Sequence, residues 1–115
     1  MAVHQREIVE VNFQLPNGEL KPHPVLVISN RAVFETEEIF YGVMLSTKSY
    51  NEEFVFEITN EMLTKPSGKK SYAKCQLIQA YQEREIISRH GSLKREYFKQ
   101  LRQKLLNSVL KEEDE

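Results

Sequence analysis

The sequence predicts a small antiparallel β barrel with one helix near its C-terminal end. Three observations carry that expectation. Five or six short runs rich in β-branched and aromatic residues follow one another, with turn residues between them. No long helical run separates these segments, so no βαβ unit is built. Only after Gly91-Ser92 does the apolar spacing change from two residues to helical.

The stretch Arg6–Ser29 organises the rest. Val9, Val11 and Phe13 alternate with Glu10 and Asn12, which predicts a half-buried first strand over Arg6–Phe13. Pro16-Asn17-Gly18 breaks that run with residues suited to a turn. Pro24–Asn30 reads as the second strand, and its run Val25-Leu26-Val27-Ile28 is apolar on both faces and so buried on both. Arg31–Glu38 is polar and acidic and reads as a loop. Ile39–Leu45 predicts a third strand, with Gly42 at a bulge or a close backbone approach. A polar loop, Ser46–Glu52, leads to a fourth strand over Phe54–Ile58. Thr59–Thr64 can then form one helical turn capped by Thr59 or Asn60.

Lys65–Lys70 (KPSGKK) is a flexible basic loop, because Pro66 and Gly68 interrupt any periodicity. In the fifth strand, Ser71–Ala80, alternation sets Tyr72, Lys74 and Gln76 on one face and Ala73, Cys75 and Leu77 on the other. A short strand follows around Glu85–Ser88. Ser92 then caps a helix whose stripe is Tyr97, Phe98, Leu101, Leu105, Leu106 and Val109. Residues 1–5 and 111–115 read as tails.

With 115 residues and 40% hydrophobic content, the chain is expected to be one domain with a single modest core. A formal net charge of −1 makes the distribution of charge more telling than its sum. Basic residues gather at Lys65, Lys69, Lys70 and Lys74, while Lys111–Glu115 is acidic. One cysteine, Cys75, excludes an internal disulfide and suits a reducing cytosol. No apolar run approaches the roughly 18 residues of a membrane span, and the first residues lack a signal-type apolar region, so a cytoplasmic protein with no membrane partner is expected.

The residues also exclude several chemistries. His4, His23 and His90 lie far apart in sequence and one cysteine cannot anchor a zinc site, so no metal is expected. No glycine-rich phosphate loop and no nucleophile elbow occurs. Cys75 reads as a small core residue. Three features remain. Ser46-Thr47-Lys48-Ser49 follows a buried strand with hydroxyls and an ammonium suited to holding a phosphate. Lys74 and Gln76 share a strand face behind the basic loop. His23 stands between two prolines with a ring that titrates near neutrality.

The opening E-I-V-x-V-x-F, the polar loop ending in a residue-Pro pair, V-L-V-I-S, then V-M-L-S-T and Tyr72-Ala73-Lys74-Cys75-Gln76 together resemble the MazF/PemK family of bacterial toxins. The resemblance runs from about Arg6 to Leu110, including the short last strand and terminal helix. It implies an SH3-like barrel shared with the CcdB toxins, a homodimer, and a cognate antitoxin whose disordered tail masks the groove. It also implies cleavage of single-stranded RNA by 2′-OH attack, without metal or cofactor. By that resemblance Thr47, beside Ser46, takes the place of the family's hydroxyl. His23 stands where the family has an arginine before the proline of the second strand. Lys74 replaces the arginine of the fifth strand, keeping the charge without the bidentate fork. Gln76 replaces an acidic residue that serves some members as general base.

Two functions follow. In the first, a toxin-type endoribonuclease, His23 supplies acid–base chemistry, Thr47 positions the scissile phosphate and Lys74 stabilises the phosphorane. Ser46, Lys48, Lys69, Lys70 and Gln76 then bind the substrate. In the second, the same barrel is a non-catalytic binding module, directed at a protein as the CcdB toxins are, or binding nucleic acid (RNA or DNA) without cleaving it.

Overall fold

The computed structural model describes residues 2–14, 16–50 and 52–114. Of the expected tails, Met1 and Glu115 lie outside the described residues, as do Leu15 and Asn51 in two of the expected loops. The elements, in order, are β1 (Glu7–Gln14), β2 (Leu20–Val27), α1 (Arg31–Glu37), β3 (Phe40–Ser46), β4 (Val55–Ile58), β5 (Ser71–Tyr81), β6 (Ile86–Ser92) and α2 (Arg95–Asn107). Short 3-10 turns cover Asn60–Met62 and Glu83–Glu85. The strands form one antiparallel sheet in the order β4-β5-β3-β2-β1-β6.

The expected barrel is not closed, since β4 and β6 are the two edges of the sheet. What joins the two sides lies beyond the strands. A single antiparallel bridge links Leu63 to Leu93, flanked by Thr64 N–H to the Ser92 carbonyl at 2.9 Å and Lys94 N–H to the Met62 carbonyl at 2.8 Å.

Alternation along β1 and β2 divides the core in two. Ile8 and Leu26 join Val43, Leu45, Ala73, Cys75 and the α2 residues Phe98, Leu101 and Leu105 on one side. Val9, Val11, Val25 and Val27 join Val3, Phe40 and Tyr81 on the other, where Phe34 of α1 packs. β2 is therefore buried on both faces as expected, and so is the start of β1, which the sequence suggested was half-buried. Val3, expected in a tail, is 3% exposed in the second cluster. Cys75 is a fully buried core residue.

β2 begins at Leu20 and carries both Pro22 and Pro24, earlier than the run after Pro24 suggested. The register explains how it tolerates them. Ile28 N–H donates to the Tyr41 carbonyl, so the nitrogens of alternate residues, Pro24 and Pro22 included, face the β3 side. β3 pairs with β2 only from Val25 to Val27, so the prolines sit where no ladder bond is asked of them. Gly42 of β3 marks a close approach, as a Cβ there would lie 2.9 Å from Val25 and 3.2 Å from the Tyr81 ring.

Four local expectations are corrected. Arg31–Glu38 is not a loop: Asn30 Oδ1 accepts from Val33 N–H at 3.2 Å and starts α1, and Glu38 at φ 58° ends it. Thr59 precedes a 3-10 turn without a side-chain capping bond. Ser92 does not cap α2: Thr64 takes both its N–H and its carbonyl, β6 runs on through it, and the cap position falls to Lys94. Of the stripe on α2, Phe98, Leu101 and Leu105 are buried and Tyr97 and Val109 pack beside them, but Leu106 is exposed.

A fifth correction moves functional candidates. In the β3–β5 ladder Val43 faces Ile78, and the next pair is Met44 with Lys74. Cys75, Gln76 and Leu77 therefore form a bulge that breaks the alternation expected of the fifth strand. Ala73, Lys74 and Cys75 are consecutively buried, while Leu77 and Ile78 are 46% and 39% exposed.

Candidate functional site

A cleft of about 700 Å³ opens where the half of β2 not paired with β3, the end of β3, the 63–71 segment and β6 converge. β2 contributes Lys21 and His23, held in register by pairing of Val11 with His23 and Phe13 with Lys21. β3 delivers Ser46, and the chain leaving it delivers Thr47 and Lys48. Ser46 Oγ accepts from Lys48 N–H at 3.1 Å, turning the chain at the mouth.

The opposite wall is the basic loop. Ser67 Oγ donates to the Lys69 carbonyl at 3.1 Å and accepts from Lys69 N–H at 3.3 Å, and Asn60 Oδ1 accepts from Gly68 N–H at 3.1 Å. These bonds hold Lys65 and Lys69 on the lining. Gly91, at φ 80°, lets β6 pass close beneath this wall: a Cβ there would lie 2.7 Å from the Lys65 Cβ. His90, one residue earlier, completes the lining.

The electrostatics are one-sided. Lys21, Lys48, Lys65 and Lys69 line the cleft, and among the described residues no carboxylate does. His23 has a pKa below its usual 6.5, first because burial disfavours the imidazolium, then because Lys21 adds repulsion; a backbone interaction with Leu45 and the charge of Glu10 work the other way. Its Nε2 is buried without a partner in hydrogen-bond geometry. The ring is steadied by Phe13, 5.8 Å away between centroids. His23 is thus biased towards a neutral ring.

His90 is held differently. Ser88 Oγ donates to Glu10 Oε1 at 3.1 Å and lies 2.8 Å from His90 Nε2. With the serine proton committed to the carboxylate, its oxygen accepts from Nε2–H, which leaves Nδ1 of His90 as the open nitrogen.

The structure therefore brings together His23, Ser46, Thr47, Lys48 and Lys69. Three sequence candidates stand elsewhere. Lys74 is 6% exposed, and its ammonium donates to the Tyr50 carbonyl at 3.1 Å and lies 5.3 Å over the Tyr50 ring. Gln76 belongs to the bulge, its Oε1 buried without a partner. Lys70 pairs with Glu57 at 3.5 Å and does not line the cleft. Sequence reasoning missed Lys21 and His90, and it counted Lys65 in the basic loop without naming it as a site residue. The three histidines looked scattered, yet β1 lies between β2 and β6 in the sheet and brings His23 and His90 to one cleft. Among the described residues no group of three His, Cys, Asp or Glu side chains comes together to hold a metal. No helix is long and apolar enough to cross a membrane.

Comparison with known proteins gives the chain a setting. Residues 4–109 match the family model described as PemK-like, MazF-like toxin of type II toxin-antitoxin system. No curated protein sequence matches the chain. Among solved structures, an endoribonuclease in complex with its cognate antitoxin, from a mycobacterial species, superposes with a TM-score of 0.75 at 14% identity, over 98% of this chain and 100% of that one. MazF from Deinococcus radiodurans gives 0.73 at 14% identity, over 96% and 97%. A MazE-MazF structure from the same organism gives 0.72 at 16% identity, over 96% of each chain.

Proposed function

Because the chain belongs to the PemK-like, MazF-like toxins of type II toxin-antitoxin systems, we propose that it cleaves single-stranded RNA in the lysine-lined cleft, without metal. One observation carries this reading: two imidazoles and the Ser46–Thr47 hydroxyls share a cleft with four ammonium groups and, among the described residues, no lining carboxylate. That set suits an RNA phosphodiester. The ribose 2′-OH attacks the adjacent phosphorus, forming the O2′–P bond and breaking P–O5′, to leave a 2′,3′-cyclic phosphate and a 5′-hydroxyl. His23, biased towards neutrality, takes the 2′-hydroxyl proton; His90, as the imidazolium, gives the proton on Nδ1 to the leaving oxygen. Thr47, Ser46, Lys48 and Lys69 hold the phosphoryl oxygens as charge builds on them. Lys74 acts on the fold around the cleft rather than on the phosphorane.

The experiment is cleavage of an end-labelled single-stranded RNA in excess chelator, with products scored for the cyclic phosphate. His23→Gln and His90→Gln are each expected to lower the rate by about two to four orders of magnitude. Tight RNA binding with no cleavage by the wild type would overturn the nuclease reading.

A second reading has its own observation. Lys74 and Gln76, which the sequence resemblance sets at an arginine and an acidic position, do not line the cleft, and this favours a module that binds RNA or a protein without cutting. Binding without turnover is its signature. In either case we infer a cytoplasmic homodimer and a cognate antitoxin. Exposed Tyr41, Leu77 and Ile78 on neighbouring strands support the first, and the antitoxin complexes among similar folds support the second. Sedimentation at micromolar concentration tests the dimer.

A further inference from the structure

A second cleft, of about 570 Å³, opens at the start of α2. Its cations are Arg6, Arg31, Arg95, Lys99 and Arg102, and no carboxylate lines it among the described residues. The volume is that of an ordinary small-molecule site.

The placement of these cations runs against the stability of the elements that bear them. Arg95, Lys99 and Arg102 recur at four and three residues on one helix face, so like charges neighbour one another. Arg95 also stands in the first turn of the helix, at the positive end of its dipole. Lys94 at the cap position offers no side-chain capping bond. Arg6 has φ 78°, a left-handed backbone that a non-glycine residue adopts at a cost. It is nevertheless fixed from three directions. Its N–H donates to the Val27 carbonyl at 2.8 Å, its carbonyl accepts from Leu93 N–H at 2.8 Å, and its guanidinium donates to the Leu93 carbonyl at 3.1 Å. Arg31 has only an exposed pair with Glu35 at 4.0 Å, which is worth little. Repulsion concentrated in a cleft that no carboxylate lines among the described residues is relieved by an anion from outside.

We propose that this cleft binds the sugar-phosphate backbone of single-stranded RNA, as an outer site for the strand whose scissile phosphate lies in the first cleft. The proposal rests on the reading of the first cleft as an RNA site. Guanidinium groups grip phosphate bidentately. Phe98, the one Phe, Tyr or Trp among the described lining residues, is buried, so the cleft offers a peptide no apolar pocket. Charge alone suffices for a polyphosphate strand, because counterion release drives its binding. The two clefts are also close along the chain. Arg6 is two residues from Ile8, and Arg95 five from His90, both of which line the first cleft. Five residues span at most about 18 Å.

The test is fluorescence anisotropy of full-length protein with dye-labelled RNAs of 5 and 14 nucleotides across a salt series. Lys99→Glu/Arg102→Glu is expected to weaken binding of the longer strand at least tenfold. It should also flatten the log–log salt slope by about 1.4, two phosphate contacts at 0.7 each. The shorter strand, which fills the first cleft alone, is expected to lose less than twofold. The milder Lys99→Gln/Arg102→Gln guards against misfolding and should fall between. Equal losses for both lengths, or an unchanged slope for the longer one, would overturn the outer site. Displacement of the 14-mer by a poly-glutamate peptide as readily as by unlabelled RNA would also overturn it, in favour of an acidic peptide. If neither RNA binds the wild type, the RNA reading of the first cleft fails with it. If the 5-mer binds and the 14-mer binds no tighter, only the outer site fails.

Discussion

Ser88 Oγ and His90 Nε2 stand 2.8 Å apart on β6, and the same serine oxygen reaches Glu10 of β1 at 3.1 Å. The carboxylate orients the hydroxyl, the hydroxyl fixes one nitrogen of the ring, and the other nitrogen is left for the cleft. Ser88→Ala should leave His90 in place but rotationally free. The expected result is a fall of about tenfold in kcat for RNA cleavage with KM unchanged, against the two to four orders expected for His90→Gln. A Ser88→Ala enzyme with full kcat would separate the hydroxyl from the chemistry.

Lys74 gives the converse expectation. Its ammonium is buried against the Tyr50 carbonyl and ring, away from the cleft lining. Lys74→Met keeps much of the volume and removes a buried charge, so the stability change should stay within about 3 kcal/mol, the upper worth of one hydrogen bond made by a charged group. RNA cleavage by Lys74→Met should stay within threefold of wild type. A hundredfold loss of activity in a stably folded Lys74→Met would return this lysine to the phosphorane.

The α2 stripe carries the main tertiary contact of the helix. Leu101 is fully buried among residues of the larger core. Leu101→Ala should cost about 2–5 kcal/mol in denaturant unfolding. Leu106→Ala, on the same helix but exposed, should stay within about 0.5 kcal/mol. Equal effects at the two positions would mean that the helix does not pack as described.

Two buried groups set opposite pH limits. The pKa of His23 is lower folded than unfolded, so below its usual 6.5 the unfolded chain binds a proton that the folded one resists. Stability is present above about pH 6.5 and is lost as pH falls through that window, and His23→Gln should remove this dependence. The Cys75 thiol is pushed up to about 11, mainly by burial. Its contribution is present below the ordinary value of 9.0 and is lost as pH rises from there towards 11. At neutral pH, iodoacetamide should label Cys75 only at the rate of unfolding.

What was legible in the sequence is what depends on near neighbours. The run Val25–Ile28, the alternation of β1 and the helical stripe of α2 each declare burial over a few residues, and the sheet and helix followed from them. α1 was missed because seven residues with three acidic or hydroxyl side chains show little periodicity, and Asn30 was its only local signal. The position of Lys74 was misread because alternation assumes an unbroken ladder, and the bulge at Cys75–Leu77 is set by pairing with β3. Nothing local joins His23 to His90. Only the placing of β1 between their strands does so, and that is decided by the whole sheet.

Pro22 and Pro24 also govern how a visitor can sit on this protein. Along the open flank of β2 they present carbonyls but no N–H groups, so an extended peptide laid there finds acceptors and no donors. It cannot zip on as another strand, which closes the commonest main-chain route both to peptide capture and to edge-to-edge aggregation. Admission is left to side chains. An incoming strand is judged by what it offers the lysines, hydroxyls and imidazoles, and not by its backbone. Replacing both prolines with residues that donate would relax that entry rule and turn a discriminating rim into an adhesive one.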